Sequence, residues 1–276
     1  MGTWMLFCRW WMWVGALAST ANAQVFMRSA PPAPALGMGD ATVSYPQLGA
    51  GLGQEAVLGL GEGSAVWIGS MLPFSLVGWR VARLQAAWLS SKSDGFGLDL
   101  AYSGIEGYGE QRLRLLYGRR LSGTLLIGGS GDVLRVSAGE YGQATALTFG
   151  LGALANPIPS VWLGAQVYNP IQVELAGTPA PAALRIGASW QASAVFIASA
   201  EVEKDLERAA QVKVGMAYRP METLAFYMGA RAEPLRLSLG AEVRIGERVA
   251  LASAVEWHPV LGITPALCLG WYRRGG

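Results

Sequence analysis

Histidine, cysteine and charge are all scarce in this 276-residue chain, and each scarcity excludes a class of function. One histidine, His258, and two cysteines, Cys8 and Cys268, cannot supply the four ligands of a Cys/His zinc site. Charged residues make up 14% of the sequence, against about 25% in an ordinary soluble domain, and the net charge is only +2. That balance excludes a basic nucleic-acid binder, and a hydrophobic content of 52% excludes a disordered chain. No cofactor is implied, because neither a Walker loop nor a dinucleotide fingerprint is present. Long apolar runs are missing too. A spanning helix needs about 20 consecutive apolar residues, yet beyond position 23 Gly, Arg, Glu or Pro interrupts every few residues.

What is present is apolar surface in short pieces, with a mean hydropathy of +0.31. The first pieces form an export signal over residues 1–23. Arg9 precedes the apolar run from Trp10 to Ala18, and Ala21-Asn22-Ala23 is the small-x-small pattern cut by signal peptidase. Cleavage removes Cys8, so no intramolecular disulfide is available after export.

From about Ser64 onward the chain alternates with a period of two, which places apolar and polar side chains on opposite faces of a strand. Leu235, Leu237, Leu239, Ala241, Val243 and Ile245 share one face, while Arg236, Ser238, Gly240, Glu242 and Arg244 share the other. Val212, Val214, Met216 and Tyr218 likewise oppose Lys213, Gly215 and Ala217. The pattern predicts about fourteen strands: 64–70, 81–89, 96–103, 110–119, 123–134, 144–154, 161–169, 182–191, 194–203, 210–219, 223–232, 235–245, 249–258 and 264–273. An even number of strands, each about 9 to 11 residues long, matches a transmembrane barrel.

The joints after even-numbered strands are mostly tight, whereas 135–143 and 170–181 read as long loops, the asymmetry of periplasmic turns and outer loops. Glu203 to Arg208 reads as a charged outer loop. Trp79, Trp88, Tyr102, Trp162, Tyr168, Trp190, Tyr218, Trp257, Trp271 and Tyr272 fall near strand ends, as interfacial girdles require. A soluble β-sandwich would also alternate, but would carry more charge and would not collect aromatics at strand ends. The expected fold is therefore all-β: a closed antiparallel transmembrane barrel over 61–276, in the outer membrane and in contact with its lipid. An irregular N-terminal segment or partial plug over 24–60 precedes it.

An Arg facing lipid at the bilayer midplane costs about 2–4 kcal/mol. Arg112, Arg114, Lys213, Arg231, Arg236, Glu242, Arg244 and Glu256 are therefore expected to face the lumen, with Glu201 and Glu203. Their near balance of sign points to a salt-bridged interior. No catalytic set is expected. His258 sits beside Pro259 at a strand end, and no Gly-x-Ser-x-Gly elbow exists.

Ala35-Leu36-Gly37-Met38-Gly39-Asp40-Ala41-Thr42-Val43 resembles the N-terminal box of the long-chain fatty-acid transporter (FadL) superfamily, in particular its PorV/PorQ-like branch. Gly139-Glu140-Tyr141-Gly142, Asn169-Pro170, Ala200 to Leu206 and His258 to Thr264 are similar to recurrent phrases of that branch, in the same order. The resemblance implies a 14-stranded outer-membrane barrel. It also implies a non-enzymatic accessory of a type IX secretion system that binds a translocon or an exported cargo protein. The alternative is a channel or transporter for small hydrophobic compounds, as in the fatty-acid branch. The Asn-Pro-Ala-Gly that follows the box in the family is absent, since 47–56 reads QLGAGLGQEA, and this argues against a full hatch.

Overall fold

The computed structural model describes residues 31–48, 52–61, 63–90 and 93–274. The expected export signal lies outside them. Fourteen strands close into one antiparallel barrel. In chain order they are β1 (Gly63–Met71), β2 (Arg80–Leu89), β3 (Asp94–Ile105), β4 (Tyr108–Arg120), β5 (Leu125–Ser137), β6 (Gln143–Ile158) and β7 (Val161–Tyr168). A two-stranded hairpin, β8 (Glu174–Leu175) and β9 (Thr178–Pro179), interrupts the series in an outer loop. The barrel resumes with β10 (Ala183–Ser193), β11 (Phe196–Asp205), β12 (Gln211–Met221), β13 (Leu224–Arg231), β14 (Arg236–Ile245), β15 (Val249–His258) and β16 (Gly262–Arg274).

Closure is made by β1 on β16, from Gly63 opposite Arg274 to Met71 opposite Ala266. It has a physical cause, because an open edge in hydrocarbon would leave N–H and C=O groups unpaired at several kcal/mol each. The beginning of β1 and the end of β16 share one rim with the tight joints 121–124, 159–160, 194–195, 222–223 and 246–248, which makes that rim periplasmic. The register irregularities of the wall, in β6–β7, β10–β11 and β12–β13, fall beside these turns.

Parity along each strand sets what faces lipid. Leu237, Leu239, Val243 and Ile245 are exposed on the outside, while Ser238 and Glu242 between them are buried inside. Trp88, Phe96, Tyr117, Trp190, Tyr218 and Trp271 form an outward girdle near the periplasmic rim. Four of the aromatics expected in girdles do not join one. Trp79, Trp162, Tyr168 and Tyr272 occupy inward positions of their strands or the loop before β2, and parity overrides their place at a strand end.

Two loops are shorter than the sequence suggests. β5 and β6 extend toward each other and leave 138–142, because Arg135 and Gln143 hydrogen-bond side by side on the outside of the wall. β11 continues to Asp205, so the supposed charged loop contributes Glu203 and Asp205 to the interior, and only 206–210 is a connection.

The N-terminal segment runs through the lumen. A short helix α1 (Ala33–Gly37) packs against β13 to β16, and a single 3-10 turn, Glu55–Gly59, packs against β2 to β6. Leu36 and Leu58 have no exposed surface. After α1 the chain reverses through Gly39 and Asp40, both at positive φ (60° and 59°), with Asp40 N–H bonded to Ala35 O at 2.8 Å. This accounts for the Gly-Met-Gly-Asp run, since a Cβ on Gly39 would be strained and would lie 2.9 Å from Ala230 N. The wall makes matching room. A Cβ on Gly229 would meet Gly39 N at 2.2 Å, and one on Gly164 would meet Val43 O at 2.1 Å. At Gly118 the clash would be with Glu55 O, at 2.4 Å.

Candidate functional site

At mid-height the lumen is closed by ion pairs between the wall and the segment. Glu55, fully buried, pairs with Arg114 and accepts from Ser130 Oγ at 3.2 Å and Gln166 Nε2 at 2.9 Å. Arg114 also donates to Asp132 at 3.1 Å, and Asp99 beside it takes Arg83 at 2.6 Å and Arg112 at 3.5 Å.

A second anchor holds the turn after α1. Glu201 Oε2 accepts the backbone N–H groups of Thr42 and Val43 at 3.0 and 2.9 Å. Its other oxygen accepts Arg185 Nε at 2.6 Å and Lys213 Nζ at 3.2 Å. Lys213 reaches Asp40 at 2.8 Å and also pairs with Glu203. Arg185 donates to Gln166 Oε1 at 2.9 Å and to Gly53 O at 3.0 Å, which joins the two anchors into one network across the lumen. Deleting one member strands a buried charge, a change that costs about 3–5 kcal/mol.

Above this belt, toward the outer rim, a cavity of about 400 Å³ opens. Leu36 and Asp40 of the segment form its floor. Met71, Phe74, Trp79 and Val81 make an apolar wall, and Glu203, Lys213, Arg231, Arg236 and Glu256 face it. The apolar wall is held in place. Trp79 donates its indole N–H to Ser103 Oγ at 3.0 Å. Phe74 and Ser75 both have positive φ (52° and 54°), a backbone that costs about 1–3 kcal/mol per residue and persists only where surroundings enforce it. Here Phe74 N–H is fixed on Thr264 Oγ1 at 2.8 Å and Ser75 Oγ on Ile263 O at 2.9 Å. At segment height the space falls to cavities of about 50 and 20 Å³. Below it a cavity of about 150 Å³ lies between Leu48, Leu89, Arg244 and Tyr272 at the periplasmic end.

The eight residues read as inward-facing lie at three heights. Arg112, Arg114 and Lys213 belong to the mid-height network. Arg231, Arg236 and Glu256 form a triad on the outer cavity, with each arginine on one oxygen of Glu256. Glu242 and Arg244 sit near the periplasmic rim, 3.2 Å apart, with Tyr227 OH 3.0 Å and Arg219 3.5 Å from the same carboxylate. His258 is a turn-former. Its Nδ1 accepts the N–H groups of Val260 and Leu261 at 3.1 Å, and its ring packs edge-on against Phe74.

Sequence reading missed Arg83, Asp99, Asp132 and Arg185 in the wall, and Asp40 and Glu55 in the segment, as members of the network. The same alternation exposes the wall residues, since Asp99 lies between Leu98 and Leu100, and Arg185 between Leu184 and Ile186. Asp40 and Glu55 carry no periodic signal, because the segment has no repeating geometry.

No family model and no curated protein matches the sequence. Solved structures do match. The toluene transporter TbuX of Ralstonia pickettii is similar over 91% of this chain and 100% of its own, with a TM-score of 0.67 and 14% identity. The toluene transporter TodX of Pseudomonas putida covers 91% and 99%, with a TM-score of 0.64 and 13% identity. A FadL homologue of Pseudomonas aeruginosa covers 90% and 99%, at 0.63 and 10%. The fold is that of the FadL-type barrels. At these identities the likeness is one of fold. With its apolar exterior and closed wall, the protein is an outer-membrane barrel.

Proposed function

We propose that the protein is a passive, non-enzymatic channel of the FadL superfamily that admits small hydrophobic compounds across the outer membrane. The observation that carries this reading is the outer cavity of about 400 Å³, which ends in an apolar wall resting on the lumenal segment. A concave site with one apolar side and a few placed polar groups is what a small-molecule binding site requires. The fold likeness to proteins named as toluene transporters supports it. All fourteen strand pairs are hydrogen-bonded, with register shifts only beside the periplasmic turns, so the route this geometry favours runs along the barrel axis, past the segment. Solute moves from the outer to the periplasmic cavity when the segment shifts from its seat.

The test is uptake of radiolabelled ethylbenzene by cells with and without the protein. Loss of the protein is expected to slow uptake several-fold, and Trp79→Asp, which puts a charge on the apolar wall, is expected to slow it in the same direction. Unchanged uptake in both would overturn the reading.

A second reading is a PorV/PorQ-like accessory that binds a secretion translocon or cargo. It is favoured by the bare apolar tips of the outer loops, where Val77, Tyr141 and Val260 are almost wholly exposed. In that case the deletion strain retains exported protein in the periplasm while ethylbenzene uptake stays normal.

A further inference from the structure

The outside of the wall changes character in a single step on β1 to β6. Ile68, Leu84, Leu100, Leu113, Val133 and Leu147 pair in one continuous outward row from β1 to β6. The row is concave. Ile68 and Leu147 at its ends are 57% and 69% exposed, whereas Leu84, Leu113 and Val133 between them are only half-buried, and a groove of about 540 Å³ lies along it. Two residues nearer the outer rim, a rise of about 7 Å, the next outward row reads Ser70, Ala82, Tyr102, Gln111, Arg135 and Thr145. Tyr102 folds over Gly104 and Gly109 toward that rim, so that a Cβ on Gly104 would lie 2.6 Å from its hydroxyl. Arg135 is exposed, its side-chain partner is the uncharged Gln143, and among the described residues no carboxylate pairs with it. Arg80 stands exposed one row higher on β2, opposite Gly104. The acids nearest in sequence that do not face the lumen, Glu106 and Glu140, lie in connections beyond the strand ends. Elsewhere the wall is built differently. At the outer end of β14 to β16 the outward row is Leu237, Trp257 and Ile263, apolar throughout.

We infer that the outer face of β1 to β6 is a site for one phosphorylated, multi-chain lipid of the outer leaflet. Its acyl chains lie in the apolar row, and its phosphate head is held by Arg135, Gln111 and Arg80. The occupant is a lipid and not a free anion, because the cations and donors begin where a concave, hydrocarbon-facing row ends. The apolar row crosses five strand spacings, about 24 Å, which is wider than one acyl chain. Arg80 and Arg135 stand three strands apart, about 14 Å, a separation that suits a head carrying two phosphates. Each guanidinium presents a planar set of N–H donors that matches a phosphate. The inference concerns the outside of the barrel and does not depend on what passes through the lumen.

The experiment is native mass spectrometry of the full chain in detergent with three added lipids, and folding of every variant is checked by its heat-dependent gel migration. The lipids are lipid A, which has two phosphates on a multi-acyl sugar head, its dephosphorylated form, and dioleoylphosphatidylethanolamine. One molecule of lipid A is expected to stay bound at least about tenfold more tightly than the dephosphorylated form, the effect of one charge-assisted contact. Arg135→Gln is expected to weaken lipid A about tenfold and Arg80→Gln several-fold, and both should leave the dephosphorylated form unchanged. Lys204→Gln, which removes an outward cation on β11 away from the groove, is expected to change nothing. Equal retention of lipid A and either of the other lipids overturns the site. A loss from Arg135→Gln no larger than that from Lys204→Gln overturns it as well.

Discussion

The mid-height belt and the outer cavity are built from the same residue types to different ends. In the belt every ion pair spans from wall to segment or braces one that does, and the remaining space is about 50 and 20 Å³. In the outer cavity the ion pairs of Arg231 and Arg236 with Glu256 join wall to wall and face about 400 Å³. Charge inside this barrel thus stands in two settings. In the belt it seats the segment against the wall, and around the outer cavity it lines open space.

Substitution of the wall glycines should unseat the segment most strongly. Gly229→Val would drive a side chain into Met38 and Gly39, with contacts already at 2.2 Å for a Cβ alone. The segment should leave its seat, and limited proteolysis should then cut within 31–60 while the barrel stays intact. Glu55→Ala comes next. Arg114 would keep Asp132, while Arg114, Ser130 and Gln166 would all lose their charged acceptor on the segment, at about 1.5–3 kcal/mol per bond. Hydrogen exchange across 52–60 should rise sharply, and unchanged protection would deny Glu55 its anchoring role. Lys213→Met should do less, because Glu201 keeps Arg185 and both backbone donors of the turn. Here exchange should rise around 38–43 only. Arg236→Met should be the mildest for stability, within about 1 kcal/mol, as expected of a partly exposed pair. Heat-dependent gel migration should hardly change. A destabilisation as large as that of Glu55→Ala would erase the distinction between the two regions.

How much was legible follows from what repeats. The wall was legible strand by strand, because a two-residue period is imposed by the pleat and by the contrast between lipid and lumen. Residues Leu235 to Ile245 announce β14 without any tertiary information. Loop lengths were less so. Arg135 and Gln143 look like loop residues but pair on the outside of the wall near its outer rim, where polar side chains are tolerated. The aromatics near strand ends divide by parity, which is why Trp88 joins the girdle while Trp79 turns to the cavity. The seat of the segment had a faint signal, in glycines at inward positions of several strands, Gly118, Gly164, Gly215 and Gly229. Its meaning depends on the backbone that fills the space. The pairing of Glu55 with Arg114 and of Asp40 with Lys213 had none, since each joins an aperiodic segment to a distant strand.

Ion conductance of the purified protein in a planar lipid bilayer tests the stoppered lumen most directly. The wild-type protein is expected to give no stable conducting steps, and Glu55→Ala to give frequent ones as the segment loosens. Steady conductance through the wild type, unchanged by Glu55→Ala, would mean that the segment does not stopper the lumen.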